Sequence, residues 1–153
     1  MKTALHQLCR FYENLNPDNL PEIRKLYAAN AQFKDPFNDV EGIAAIEAIF
    51  SHMFLTTQNP RFSVVQSLQE ADHALLVWDF HFERQGLPNP FCIHGTSLIS
   101  FDGQGLVVRH RDYWDSGEEL YAKLPWVGGL FRWLARQFTT PQTTPQTSLQ
   151  TTS

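Results

Sequence analysis

The 153-residue chain has little of what would staple it, span a membrane or bind a polyanion. Its two cysteines, Cys9 and Cys92, cannot supply a disulfide framework. Twelve Lys and Arg stand against sixteen Asp and Glu, a net charge of −4, and no basic block occurs. A nucleic-acid partner is therefore excluded, because phosphate binding needs concentrated positive charge. No apolar run reaches the roughly 18 residues of a spanning helix. His6, Gln7 and Arg10 break up the N-terminal stretch where a signal peptide would be apolar, so a cytoplasmic protein is expected. No His, Cys, Asp or Glu residues show the linear spacing of metal ligands, the loose His110-x-Asp112 pair included. Ser97 lacks a nucleophile-elbow context, and Gly128-Gly129 follows no strand and opens no phosphate-binding pattern. No metal and no cofactor is expected.

Aromatic residues, by contrast, are plentiful: 12 Phe, 4 Tyr and 4 Trp make 13% of the chain, against 18% charged residues. The length suits one domain that buries roughly 68–70% of its unfolded surface. Residues 139–153 read as a TTPQ repeat with one apolar side chain, Leu149, and are expected to be disordered. The folded unit is then residues 1–138.

Apolar residues recur every three or four positions over Thr3–Leu15, through Leu5, Leu8, Phe11/Tyr12 and Leu15, which predicts an amphipathic helix. After the turn Asn16-Pro17-Asp18-Asn19, a second helix would place Leu20, Ile23, Leu26 and Tyr27 on one face. Ala31–Asp35 reads as a short strand stopped by Pro36. A third helix runs from about Gly42 to Leu55, with Ile46, Phe50 and Phe54 on its stripe. Beyond Pro60 the period becomes two. Arg61–Leu68, His73–Arg84, Pro90–Phe101 and Gly105–Trp114 read as four antiparallel strands, with Asp102-Gly103-Gln104-Gly105 as a hairpin turn. Helices followed by a meander predict an α+β domain, with the N-terminal helices packed in a curved antiparallel sheet. A further C-terminal helix is expected over residues 124–138.

Strand alternation assigns the faces. Leu76, Trp78, Phe80 and Phe82 point inward, with Ile93, Gly95, Ser97, Ile99 and Phe101 from the next strand. On the last strand the arginines Arg109 and Arg111 belong outside with Val107, which turns His110, Asp112 and Trp114 inward. An imidazole and a carboxylate on an interior face are costly unless they are paired or line a pocket. Asp35, fixed in an extended conformation before Pro36, has two readings: an ordinary Asp-Pro turn, or a placed carboxylate.

The run Tyr27-Ala-Ala-Asn-Ala-Gln-Phe-Lys-Asp35-Pro36, then Gly42-Ile-Ala-Ala-Ile46 and Phe50, resembles the start of the nuclear transport factor 2-like superfamily. Phe101-Asp-Gly-Gln-Gly-Leu-Val107 and Arg111-Asp-Tyr-Trp-Asp115 continue the resemblance, which covers roughly residues 4–115. Ketosteroid isomerase and the SnoaL-like polyketide cyclases are among the enzymes of that superfamily. The resemblance implies a cone-shaped roll around an apolar pocket. Asp35 falls where ketosteroid isomerase has its base, but the two oxyanion donors of that enzyme would fall at Phe11 and Ser97, with Tyr12 one residue out of register. Loss of such donors argues against ketosteroid isomerase activity itself. Asp112 matches the late-strand carboxylate of the cyclases.

The expected site therefore has Asp35, His110 and Asp112 as acid/base groups. Phe11, Tyr12, Phe54, Trp78, Phe80, Phe82, Ser97, Ile99, Phe101 and Trp114 are expected to contact a small hydrophobic ligand. Two classes stay open beside an isomerase, cyclase, dehydratase or epoxide-hydrolase type of enzyme. One is a non-catalytic ligand-binding or dimerisation module. The other is a protein that docks on a membrane or partner through the 124–138 helix, whose Trp126, Trp133, Arg132 and Arg136 suit an interface. The resemblance also implies a homodimer through the outer sheet face.

Overall fold

The structure is a computed structural model that describes residues 2–86 and 90–119. The expected helix 124–138 and the tail 139–153 lie outside the described residues. Helix α1 (Lys2–Glu13) buries Leu5, Leu8, Cys9, Phe11 and Tyr12. It ends two residues before the expected Leu15, because Asn14, Asn16 and Asn19 bond the local backbone and close a turn.

The second helix is shorter than its spacing predicts. A 3-10 turn covers Leu20–Lys25, and Tyr27 opens strand β1 (Tyr27–Lys34) instead of extending a helix. Sheet pairing wins here: Tyr27 lies opposite Val107, and the Val107 N–H donates to the Leu26 carbonyl at 2.8 Å. Strand β2 (Asp39–Glu41), absent from the sequence reading, folds back on β1 across a turn at Asp35–Asn38. Helix α2 (Ile43–Thr56) follows, with Ile46 and Phe50 buried.

The meander appears as expected in β3 (Gln58–Glu70), β4 (His73–Glu83), β5 (Phe91–Phe101) and β6 (Val107–Tyr113), before a short α3 (Ser116–Glu119). The sheet is mixed, where an antiparallel one was predicted. Its order is β2-β1-β6-β5-β4-β3, and β1 lies parallel to β6. By pairing there, β1 covers the edge that the last meander strand would otherwise expose. Helix α1 packs against β3 and α2 against β1, so the helices sit on one face.

Strict alternation holds along β4 and β5, whose residues alternate between buried and more exposed from Ala74 to Phe82 and from Phe91 to Phe101. It fails at the start of β6. The register slips between Ser100↔Arg109 and Phe101↔Val107, and this bulge turns Val107 inward, where it is fully buried. Val107 was expected outside. Beyond the bulge the alternation resumes with His110 inside and Arg109 and Arg111 out. A second slip at Val65 bends β3.

Candidate active site

Register decides which polar groups meet on the concave face. Ser97 lies opposite Asp112 and Ile99 opposite His110 across β5 and β6, while Trp78 lies opposite Gly95 across β4 and β5. The Trp78 indole lies directly over Gly95. A Cβ added there would come within 2.3 Å of the ring, so the close approach requires glycine. In this pose Trp78 Nε1 donates to Ser97 Oγ at 2.7 Å, and the Ser97 hydroxyl donates to Asp112 Oδ1 at 2.5 Å. His110 Nε2 reaches the same Oδ1 at 2.7 Å.

The far side of the imidazole meets two phenols. Tyr27 OH stands 2.5 Å from His110 Nδ1, and Tyr12 OH stands 2.6 Å from Tyr27 OH. The carboxylate accepts from Nε2–H, and with a neutral ring Nδ1 accepts from Tyr27. Tyr12 then donates to Tyr27. The result is one chain of side chains, Trp78–Ser97–Asp112–His110–Tyr27–Tyr12, in which every link has a donor and an acceptor. Burial pushes the Tyr27 and Tyr12 phenols well above their usual range, with the charge on Asp112 adding to both. Both therefore act as hydroxyl donors and acceptors, never as phenolates, near neutral pH.

Asp112 differs from the other members of the chain in its second oxygen. Oδ1 accepts two bonds, whereas Oδ2 accepts none among the described residues and is not enclosed. Asp112 lines three spaces, one of them on the side of Lys34, Asp35, Pro36 and Arg111. Behind it lies a cavity of about 30 Å³ whose walls include Tyr12, Phe50, Leu76, Trp78, Ser97 and His110, large enough for a water molecule. In front opens a cleft of about 370 Å³, lined by Phe33, Ile49, Met53, Phe80, Phe82 and Trp114 among others. Asp35, Asn38, His52 and Arg84 add polar groups to the same lining, and the volume falls within the range of small-molecule sites. Phe37 packs edge-on against Trp114 at the rim, ring centroids 5.4 Å apart.

The structure brings together many, but not all, of the expected residues. His110, Asp112, Ser97, Trp78 and Tyr12 form one cluster, and Phe80, Phe82 and Trp114 line the cleft. On α1, Tyr12 reaches the cavity wall, while Phe11 packs edge-on against it in the core. Ile99 and Phe101 are buried core residues that pair with His110 and Val107, and Phe54 is half-buried against the core. Asp35 stands at the cleft rim, with Oδ1 accepting from the Phe37 and Asn38 backbone N–H groups and Oδ2 from the Asn38 amide. The turn reading and the rim position thus hold at once.

Tyr27 escaped the sequence reading because its helical spacing hid its strand position. The available signal was a phenol immediately before Ala-Ala-Asn-Ala, the run that becomes β1.

A six-stranded sheet wrapped on N-terminal helices, with an apolar cleft between them, is the architecture of the nuclear transport factor 2-like proteins. The SnoaL-like domain model matches residues 8–110, and the chain belongs to that family. A hypothetical protein with the ketosteroid isomerase-like fold from Catenulispora acidiphila, solved in complex with trimethylamine, is similar at 18% identity and a TM-score of 0.65. The match covers 82% of this chain and 92% of that one. AclR from Streptomyces galilaeus, assigned as a hydroxylase, matches at 17% identity and a TM-score of 0.63, over 92% of this chain and 97% of its own. A protein from Shewanella putrefaciens assigned as a SnoaL-like polyketide cyclase matches at 14% identity and a TM-score of 0.65, over 78% and 97%. At such identities the likeness shows the fold alone. No curated protein matches the sequence significantly. Among the described residues, no helix is long and apolar enough to cross a membrane.

Proposed function

We propose that the protein binds a small hydrophobic molecule in the cleft and uses Asp112 to move a proton on it, or to activate water against it. The observation that carries this reading is the division of labour within one carboxylate. Oδ1 is fixed by Ser97 and His110, Oδ2 accepts no bond among the described residues, and the residue lines both the cavity and the cleft. A base must be oriented without being consumed, and this arrangement does both. When Oδ2 takes a proton, His110 and Ser97 keep the group in place, and the Tyr27–Tyr12 pair keeps the imidazole in its donor tautomer. A neighbour of the same fold captured with trimethylamine supports small-molecule occupancy. The reaction classes that fit are isomerisation, cyclisation, dehydration and epoxide opening, none of which needs a cofactor.

Asp35 enters this scheme as an anionic rim group, because the turn already holds both of its oxygens. The same observation favours a second reading, a binding module without turnover, since the carboxylate at the ketosteroid isomerase position is committed to structure. The test begins with mass spectrometry of whatever hydrophobic molecule co-purifies. That molecule and a panel of small epoxides, enones and hydroxyketones are then incubated with the protein. Asp112→Asn is expected to lower turnover by about 10²–10⁴-fold with little change in affinity. An undiminished rate would sink the assignment, and binding without turnover of any compound would favour the module.

The homodimer reading draws on one cross-strand row of exposed leucines, Leu68, Leu75 and Leu98, on the outer face. Light scattering should give twice the chain mass; a monomer would refute it.

A further inference from the structure

The outer face of β4 and β5 carries a second group of chemical side chains, unconnected with the cleft. Asp79 and His81 alternate along β4, and their cross-strand partners on β5 are His94 and Cys92. Two residues apart on a strand share a face, and directly opposed Cβ atoms lie about 4.5–5.5 Å apart. The four side chains therefore stand at the corners of a small square. Ligand atoms of Asp79, His81 and Cys92 all lie within 4.8 Å of one another, with His81 Nε2 at 3.9 Å from Cys92 Sγ. His94 Nδ1 donates to Asp79 Oδ1 at 2.6 Å and so holds that carboxylate from outside the trio.

We propose that Asp79, His81 and Cys92 bind a divalent transition-metal ion of the zinc class, with His94 orienting Asp79. One thiolate, one imidazole and one carboxylate are a mixed set that suits zinc; calcium and magnesium take oxygen ligands. The charges also fit, because the thiolate and carboxylate together neutralise a dication. Arg61 lies opposite His81 across β3 and β4 and its positive charge opposes the ion, an effect the two anionic ligands must outweigh, while the neutral Ser63 lies opposite Asp79. All three ligands are half-buried, so modest rotamer changes can bring their atoms onto one ion while the fourth position stays open to solvent. A hydrogen-bonded carboxylate is the usual support of such a ligand. Binding displaces the thiol proton, so affinity rises with pH.

The linear sequence hid this group because its members are eleven or more residues apart across the two strands; only the register unites them.

The test is cobalt substitution in the reduced full-length protein. The expected result is a thiolate-to-cobalt charge-transfer band that saturates at one ion per chain and is quenched by added zinc. Cys92→Ser and His81→Ala should abolish or strongly weaken it. His94→Ala should weaken binding by about 10–100-fold. Cys9→Ser is the control for the other thiol, which is buried on α1, and it should leave the band intact. Far-UV circular dichroism checks that each variant folds. No band in the wild-type protein overturns the proposal, as does a band that survives Cys92→Ser. Saturation at half an ion per chain also overturns it, since the site would then be shared between copies.

Discussion

Replacing Gly95 with alanine tests the construction of the site from the sheet upward. The new Cβ would lie 2.3 Å from Cη2, 2.5 Å from Cζ2 and 2.8 Å from Cζ3 of Trp78. Carbon contacts settle near 3.5 Å, so the indole must retreat by about 1.2 Å. It has little room, because Phe62 meets the ring edge-on at 6.0 Å between centroids. Its Nε1–H is also committed to Ser97 at 2.7 Å. A retreat of that size ends the hydrogen bond. Overpacking costs about 1–3 kcal/mol, and a buried hydrogen bond lost with its partner left in place costs about 1–3 kcal/mol more. Relief from glycine's extra unfolded-state entropy returns about 0.5–1 kcal/mol. The net loss should be about 1–5 kcal/mol. Urea unfolding at constant m-value measures it, with indole emission reporting the ring's surroundings. A loss below about 0.5 kcal/mol with unchanged emission would show that the indole does not lie over Gly95, and the chain from Trp78 to Asp112 would fall with it.

Other perturbations probe the remaining links. Tyr27→Phe removes the donor to His110 Nδ1 in a buried setting, and unfolding measurements should find about 1–3 kcal/mol lost. Because the Tyr12 and Tyr27 phenols are raised in the folded state, the unfolded chain releases these protons first as pH rises. Their contribution is therefore complete below the ordinary phenol range near pH 10 and falls above it. Urea melts between about pH 8.5 and 11.5 should show a decline that Tyr27→Phe makes shallower; an equal slope in both proteins would refute the burial argument. Asp35→Ala should cost about 1–2 kcal/mol by freeing the Phe37 and Asn38 N–H groups of the turn, measured by the same melts.

Legibility in the sequence followed the type of order involved. Alternation assigned the inward residues of β4 from Leu76 to Phe82 and of β5 from Ile93 to Phe101, leaving out only Ala74 and Phe91 at the strand ends, because side-chain direction there depends on local geometry alone. Features set by pairing were hidden. The bulge that buries Val107 depends on how β6 meets Phe101, and the parallel placement of β1 depends on an edge left vacant far along the chain, where Val107 meets Tyr27 and His110 meets Phe33. Tyr27 illustrates the conflict best. Its spacing from Leu20 and Ile23 fits a helix, yet the sheet edge claims it and so delivers its hydroxyl to His110. Asp112 and His110 were visible because two outward arginines fixed the alternation; their partners were visible only as members of a face.

The contrast between Asp35 and Asp112 explains why a late strand is the better place for a working carboxylate. Pro36 ends β1 and sends the chain into a tight turn, where nearby N–H groups lack ladder partners. An aspartate at that point is the nearest acceptor, and its oxygens are taken up at 2.6–3.1 Å by the very next residues. Near the end of β6 the backbone around Asp112 still pairs with β5, so no turn N–H competes for its oxygens. Ser97 on β5 and His110 two residues earlier on β6 can then hold one oxygen and leave the other for a substrate. If this reasoning is right, the two residues separate by turnover: loss at position 35 registers in unfolding free energy alone, whereas loss at position 112 registers in turnover as well as in stability, because Oδ1 accepts from the buried Ser97 and His110. Equal effects of both variants on both measurements would remove the distinction on which the assignment of Asp112 rests.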